Sequence, residues 1–467
     1  MENLYKINQN DNVAINLNED SNIKVGHKVA LSDIKKGEYV YKYGHIIGRA
    51  KEDIKKGDWI HSHNLESHLD QSFNYSYNPN LVTLSKDNAT FKGYKRAYGR
   101  AGIRNDIYII PTVGCVNSVV KELEKRANEL ELGTIDGVFA ITHQFGCSQL
   151  GNDQENIKNL LASIALNPNA TYVLFVGLGC ENNGLKGIKE VLEPYHRDNI
   201  FFYNSQEVED DVEYGFNILK DLIKKASVLK REDISVSELC IGLKCGGSDA
   251  FSGITANPTV GRVSDKVISC GGSAILTEVP EMFGAEQILM NKCENQEVYD
   301  KYVKMILDFK QYYTDLGFPV YENPSPGNKE GGITTLEEKS LGCITKAGSS
   351  TVRGILDYAE IIQNQGLNLL NAPGNDLIAS TALAASGCQL ILFTTGRGTP
   401  FSTLVPTLKI ATNKAIATRK ANWIDFDASG MDEQALFDLV IKTASGEYKA
   451  KQEDSHEMAF FKKGVTL

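Results

Sequence analysis

Residues 106–115 read DIYIIPTVGC, a short β-branched run that ends in Gly-Cys. Three other stretches carry a cysteine at a similar place: GVFAITHQFGC at 137–147, TYVLFVGLGC at 171–180 and CIGLKCGG at 240–247. Apolar runs this short, bounded by glycine, match strands buried on both faces, as in parallel sheets. Helical patterns lie between them. NSVVKELEKRANEL (117–130) places Val119, Val120, Leu123, Ala127 and Leu130 on one face, with Asn117 as N-cap. DQENIKNLLASIAL (153–166) repeats the pattern with Ile157, Leu160, Leu161 and Ile164. This alternation predicts a βαβ series and a parallel sheet over 106–232. LCIGLKC, SAILTE, NLLNAP and QLILFTTG predict a second α/β segment over 233–467.

Upstream the pattern changes. NVAINL, KVAL, EYVYKYG and WIHSHN are short alternating runs separated by Lys-Lys-Gly turns, which predicts a small all-β unit over 1–66. Residues 67–105 are polar and rich in Asn, Ser and Tyr, and read as a linker or arm. The arm ends in a basic cluster, Lys95, Arg96, Arg100 and Arg104, which is either a solvated linker or an anion-binding element.

A chain of 467 residues is long enough for about two to four domains. Its 42% hydrophobic and 23% charged content is that of an ordinary globular protein. The net charge of −10 argues against a nucleic-acid or membrane-surface partner, which needs a basic footprint. No apolar run is long enough to span a bilayer, and the polar start lacks the order of a signal peptide, so a cytoplasmic location is expected. Nine cysteines without a CxxC pair predict thiols or ligands rather than disulfides.

Ligands in open α/β sheets bind beyond the carboxyl ends of the strands. Cys115, Cys147, Cys180 and Cys245 are therefore expected to converge on one crevice, as soft-metal ligands or nucleophiles. His61 and His63 in HSH, read on a strand, share a face; with His27 they make a second candidate set for a divalent metal. KCGGSDAFSGITANPTVG (244–261) offers backbone N–H groups after a strand, with Ser248, Asp249 and Asn257 as substrate-binding candidates. Arg397 follows the strand-like run QLILF and suits a carboxylate, and Arg100 and Arg104 are further substrate candidates. In GGITTLEEKSLG (331–342), Glu338 and Lys339 are the candidate proton-transfer pair; burial is expected to lower the Lys339 pKa toward neutrality. His143, beside Cys147, is the rival base.

Taken in order, GHKVAL, HSHN, GYKRAYGRAGIRN, PTVGCVN, THQFGCSQLGND, GLGCENN, CGGSDAFSGITANPTVG and GGITTLEEKSLG resemble the altronate/galactarate dehydratase family of sugar-acid hydro-lyases. The resemblance covers nearly the whole chain. It implies an N-terminal SAF-type β domain, a larger α/β catalytic region and a divalent metal, commonly iron, with Mn(II) or Mg(II) as alternatives. It also implies a small sugar-acid substrate, D-altronate first, giving 2-keto-3-deoxy-D-gluconate; galactarate dehydration or sulfolactate cleavage are the alternatives within it. A homo-oligomer is compatible with this reading. Tyr98 departs from the family pattern, where Asp is more usual, and this bears on substrate choice. Competing readings from other classes are an iron–sulfur redox or sensor protein built on the four cysteines, and a sugar-acid binding protein without activity.

Overall fold

The computed structural model describes residues 3–69, 74–320, 323–454, 456–464 and 466. The N-terminal unit is all β. Leu4–Tyr5, Val13–Asn16, Lys28–Ala30 and Trp59–Ile60 form one antiparallel sheet in that order. Tyr39–Lys42, His45–Ala50 and Leu65–Glu66 form a second. Their buried Val13, Ala30, Val40, Ile47 and Ile60 join the same apolar cluster as Leu336 and Leu341, so this unit packs directly on the C-terminal region.

The arm carries more structure than its composition predicts. Thr90–Gly93 pairs antiparallel with Glu232–Ser235, and Tyr77 donates to the Cys293 carbonyl at 2.8 Å. Long-range pairing decided this, and local periodicity does not report it.

The middle sheet is wholly parallel, in the order Gly137–Ala140, Asp106–Pro111, Ala170–Gly177, Ile200–Asn204. Helices Asn117–Asn128, Asn152–Ala165 and Leu185–Leu192 supply its connections, and Asp211–Ala226 follows its last strand. The C-terminal sheet is also parallel, with seven strands ordered Val352–Leu356, Gly366–Leu370, Ser273–Leu276, Cys240–Cys245, Leu390–Thr395, Thr407–Ala411 and Phe426–Asp427. Cys240–Cys245 lies at its centre and is buried throughout. The chain leaves that strand toward Ser273–Leu276 on one side, while Leu390–Thr395 leads away on the other. A crevice opens where connections diverge in this way.

Asn167, just past helix Asn152–Ala165, donates to the carbonyls of Ala384 and Cys388 at the end of helix Asp376–Ala385. The C-terminal residues 459–464 run from Thr381, midway along that second helix, to Asp153, at the start of the first. The two helices therefore run in the same direction. Each follows the carboxyl end of a strand, so the carboxyl edges of both parallel sheets face one side of the molecule.

Candidate active site

A cavity of about 510 Å³ opens at the carboxyl edge of the C-terminal sheet. Strand Cys240–Cys245 delivers Cys245, Gly246, Gly247 and Ser248 to it, and the turn after Ser273–Leu276 delivers Glu281. Asn375 and Asp376 come from the loop after Gly366–Leu370, Arg397 from the loop after Leu390–Thr395, and Lys339 from helix Leu336–Cys343. Gly247 has φ +60°, and a Cβ on Gly246 would lie 2.6 Å from the Phe393 ring and 2.7 Å from the Asp376 carboxylate. Only glycine lets the backbone line the cavity here.

Beneath the opening lies a dense charge cluster. Lys244 is bonded to Glu278, and to Asp376 Oδ1 at 2.9 Å. Lys346 Nζ is 2.7 Å from Cys245 Sγ and 3.4 Å from Glu278 Oε2. Lys339 Nζ pairs with Glu281 Oε1 at 2.8 Å and donates to Asn323 Oδ1 at 2.9 Å. The Cys245 and Cys343 sulfurs each lie 3.0 Å from Glu281 Oε2 and 3.5 Å from one another. Buried charge survives only when paired in this way.

The pairing sets the protonation states. Burial opposes charge on Lys339, but Glu281 and the thiols of Cys343 and Cys245 outweigh it and hold the ammonium above the ordinary lysine value. The expectation that burial would bring Lys339 toward neutrality is thus corrected: it is a fixed cation. Burial acts to raise the Glu281 carboxyl, but Lys339, Lys346 and Lys244 hold it well below the usual carboxylate range. Glu278 is pushed up by burial and by the neighbouring Glu281 charge.

Cys245, Glu281 and Cys343 each offer a ligand atom within 4.8 Å of the others, a group compatible with a divalent metal. Two sulfurs and one carboxylate oxygen suit an ion of intermediate softness. An ion there would contest the hydrogen bonds that Lys346 and Lys339 make to the same residues.

This architecture agrees with comparisons across known proteins. The altronate/galactarate dehydratase SAF domain matches residues 2–68. The second domain of D-galactarate dehydratase/altronate hydrolase matches 93–227, and the D-galactarate/altronate dehydratase C-terminal domain matches 236–466. The chain is 51% identical over 469 residues to the altronate dehydratase of Bacillus subtilis (strain 168), covering 97% of this chain and 94% of that one. It is 47% identical over 472 residues to the altronate dehydratase of Escherichia coli (strain K12), covering 98% and 94%. Against the galactarate dehydratase (L-threo-forming) of the same E. coli strain, identity is 31% over 494 residues, covering 95% and 93%. The chain belongs to the altronate/galactarate dehydratase family. It is a hydro-lyase, and no helix among its described residues is long and apolar enough to cross a membrane.

In this dehydratase the cavity gathers four of the residues picked out by sequence: Cys245, Ser248, Lys339 and Arg397. Arg397 sits at the rim, paired with Glu330 at 3.1 Å. The others lie elsewhere. Asp249 is spent on its own loop and on the one after Thr407–Ala411, accepting from the Phe251 and Ser252 amides, Thr412 and Asn413. Asn257 is fully buried and bridges the Gly342 carbonyl and Thr394. Glu338 points away from the cavity toward the β unit, where Lys28 and Lys42 each reach it at 2.8 Å. Both lysines hold its carboxyl down to about 2 against the effect of burial.

The four thiols do not share one crevice. Cys245 ends a strand of the C-terminal sheet and is buried, whereas Cys115, Cys147 and Cys180 follow strands of the middle sheet and are exposed. The imidazoles are not arranged as expected. Strand Trp59–Ile60 ends before His61, and HSH lies in a turn. His27, His61 and His63 instead pack around the Trp59 ring, whose N–H donates to His27 Nδ1 at 3.1 Å. Burial lowers His27 to about 4. His143 is lowered to about 4 by burial as well, and both its ring nitrogens are engaged, by the Pro111 carbonyl and the Phe145 amide. It holds its loop in place and is unsuited to be the base.

Arg100 bonds Ser237 and Ser273, and Arg104 bonds Glu453 and the Thr443 carbonyl. Ser273 begins its strand, so Arg100 sits at the amino edge, opposite the cavity. Tyr98 stacks on Arg197 in the same region and does not line the cavity. Glu281, Cys343 and Lys346 were missed by sequence reading. The one available signal was TEVPE at 277–281, two carboxylates following a strand-like run.

Proposed function

We propose that this dehydratase converts D-altronate to 2-keto-3-deoxy-D-gluconate with the help of a divalent metal, iron in the first instance. The observation that carries the proposal is the polar, glycine-floored cavity at the strand ends, with Ser248, Lys339 and Arg397 facing one space. Its size is within the range of small-ligand sites. The two relatives named altronate dehydratase, at 51% and 47% identity, favour altronate over galactarate, whose named relative stands at 31%.

Dehydration of a 2,3-dihydroxy acid removes the C2 proton, expels the C3 hydroxyl and leaves an enol that becomes the 2-keto acid. Arg397 and the backbone amides of Gly247 and Ser248 hold the carboxylate, which acidifies C2 by pinning its negative charge, while the Gly246 amide is held by the Thr394 carbonyl. Lys339, kept protonated by Glu281, protonates the departing hydroxyl. The Cys245–Glu281–Cys343 donor set would hold a divalent ion, which when bound supplies Lewis-acid charge beside the same cavity.

The test is keto-acid formation from a panel of aldonates and aldarates, with Fe(II), Mn(II) or Mg(II) added in turn. D-altronate with Fe(II) is expected to turn over fastest. Preference for galactarate, or full activity after exhaustive chelation, would overturn the corresponding half of the proposal.

A further inference from the structure

Six of the nine cysteines are buried, as is usual for free thiols. The three exposed ones, Cys115, Cys147 and Cys180, all lie just past the carboxyl ends of adjacent parallel strands: Asp106–Pro111, Gly137–Ala140 and Ala170–Gly177. Their loops are tied together by backbone hydrogen bonds. Gly114 N donates to Phe145 O at 2.9 Å, and Asn183 N donates to Gly146 O at 3.0 Å. Asn182 Oδ1 accepts from Ser148 N at 3.0 Å and is 3.6 Å from Cys147 Sγ. Gly146 has φ +107°, and a Cβ there would lie 2.1 Å from the Thr112 carbonyl, so the crossing of the first two loops requires glycine.

The harder donors nearby are already committed. The Glu181 carboxylate takes the Thr112 hydroxyl and the Gly179 and Leu178 amides, and His143 uses both ring nitrogens. Thiols remain. In the same loop as Cys180, Asn183 is 1% exposed and neither amide atom has a partner, which marks a polar environment built for something further. Among the described residues, the group whose ligand atoms all fall within 4.8 Å is Cys245, Glu281 and Cys343, not these thiols, so they are spaced more widely than a single ion needs.

We propose that Cys115, Cys147 and Cys180 hold an iron–sulfur cluster of the cuboidal type, separate from the Cys245–Glu281–Cys343 group. Each thiol gives up its proton as its sulfur bonds one iron; a carrier delivers the preformed core, or two ferrous ions, two ferric ions and four sulfides from solution make it, so ligation itself changes no oxidation state. Soft thiolates are the donors such clusters take. Three thiolates on four irons leave one iron open to an oxygen ligand. The open corner faces the side of the molecule on which the cavity lies, because the carboxyl edges of both sheets point that way. Phe145, two residues from Cys147, shares an apolar cluster with Phe401 and with Phe393, the ring that backs Gly246. The proposal stands on the thiol edge alone and does not depend on which sugar acid is the substrate.

The experiment is anaerobic purification of the full chain with iron and sulfide reconstitution. Wild-type protein is expected to carry about four acid-labile sulfide per chain and about four iron beyond any held by the Cys245–Glu281–Cys343 group, with a broad visible band and a paramagnetic signal on reduction. Cys115→Ser, Cys147→Ser and Cys180→Ser should each lose most of the sulfide and the band, while Cys270→Ser and Cys245→Ser retain both. Iron without sulfide, zinc in its place, or a band that survives all three serine changes would overturn the proposal; so would equal loss in Cys245→Ser. A second readout needs no variant. In wild-type protein the three thiols should resist alkylation while the cluster is bound and react once it is removed. Equal alkylation in both states counts against it.

Discussion

Lys339 has 8% of its surface exposed and Glu281 2.8 Å away, and that pair settles its charge. A lysine whose folded pKa lies above its unfolded value contributes stability at every pH below the unfolded value, and loses it only as pH rises through the folded one. Turnover should therefore show no loss from Lys339 deprotonation below about pH 10, the range of free lysine. Lys339→Met is expected to lower kcat by about 10²–10⁴-fold, the usual weight of a general acid. C2 deuterium exchange should survive that change, since the acid acts on the C3 hydroxyl. If exchange and elimination fall together, Lys339 is not the acid.

At the scale of elements, helix Leu336–Cys343 shows how one short segment serves two places. Thr335 caps it, accepting from Glu338 N at 3.3 Å, and consecutive residues then turn apart: Glu338 toward the β unit, Lys339 toward the cavity. Glu338→Gln would leave two buried ammoniums with a neutral partner. Loss of a buried ion-pair partner costs about 3–5 kcal/mol, readable as a drop in denaturant midpoint with unchanged slope. Because the Glu338 carboxyl is held down to about 2, its contribution is present above the ordinary glutamate pKa and fades as pH falls from there toward 2. The Gln variant should lose that part of the acid sensitivity; an unchanged acid profile would mean that other carboxylates carry it. In the middle sheet, Gly146→Ala should force the Cys115 and Cys147 loops apart, costing about 1–3 kcal/mol from the backbone alone, with more from the contact with Thr112. Thermal melting measures it.

Across the whole molecule, Lys28 and Lys42 join the β unit to the rest of the chain through Glu338. One carboxylate serves two ammoniums, and burial brings Lys28 down to about 8 while Lys42 stays above the ordinary value. Residues 74–467 expressed alone should melt lower and turn over poorly, because Glu338 loses both partners; residues 1–73 added as a separate chain should restore activity. Recovery without the added chain would show the joint to be dispensable. The sequence by itself determined the local features: apolar runs closed by Gly-Cys, helical stripes between them, and the order of family motifs. These depend on neighbours a few residues apart, so the parallel sheets, Ser248, Arg397 and Cys245 at a strand end were legible in advance. Only the tertiary structure decided which strand ends share an edge. It placed Cys245 in one sheet and the other three thiols in another, set Lys339 against Glu281 from a different loop, and turned Glu338 into the β-unit joint. Charge state and direction of a side chain depend on partners distant along the chain, and no spacing rule reads those.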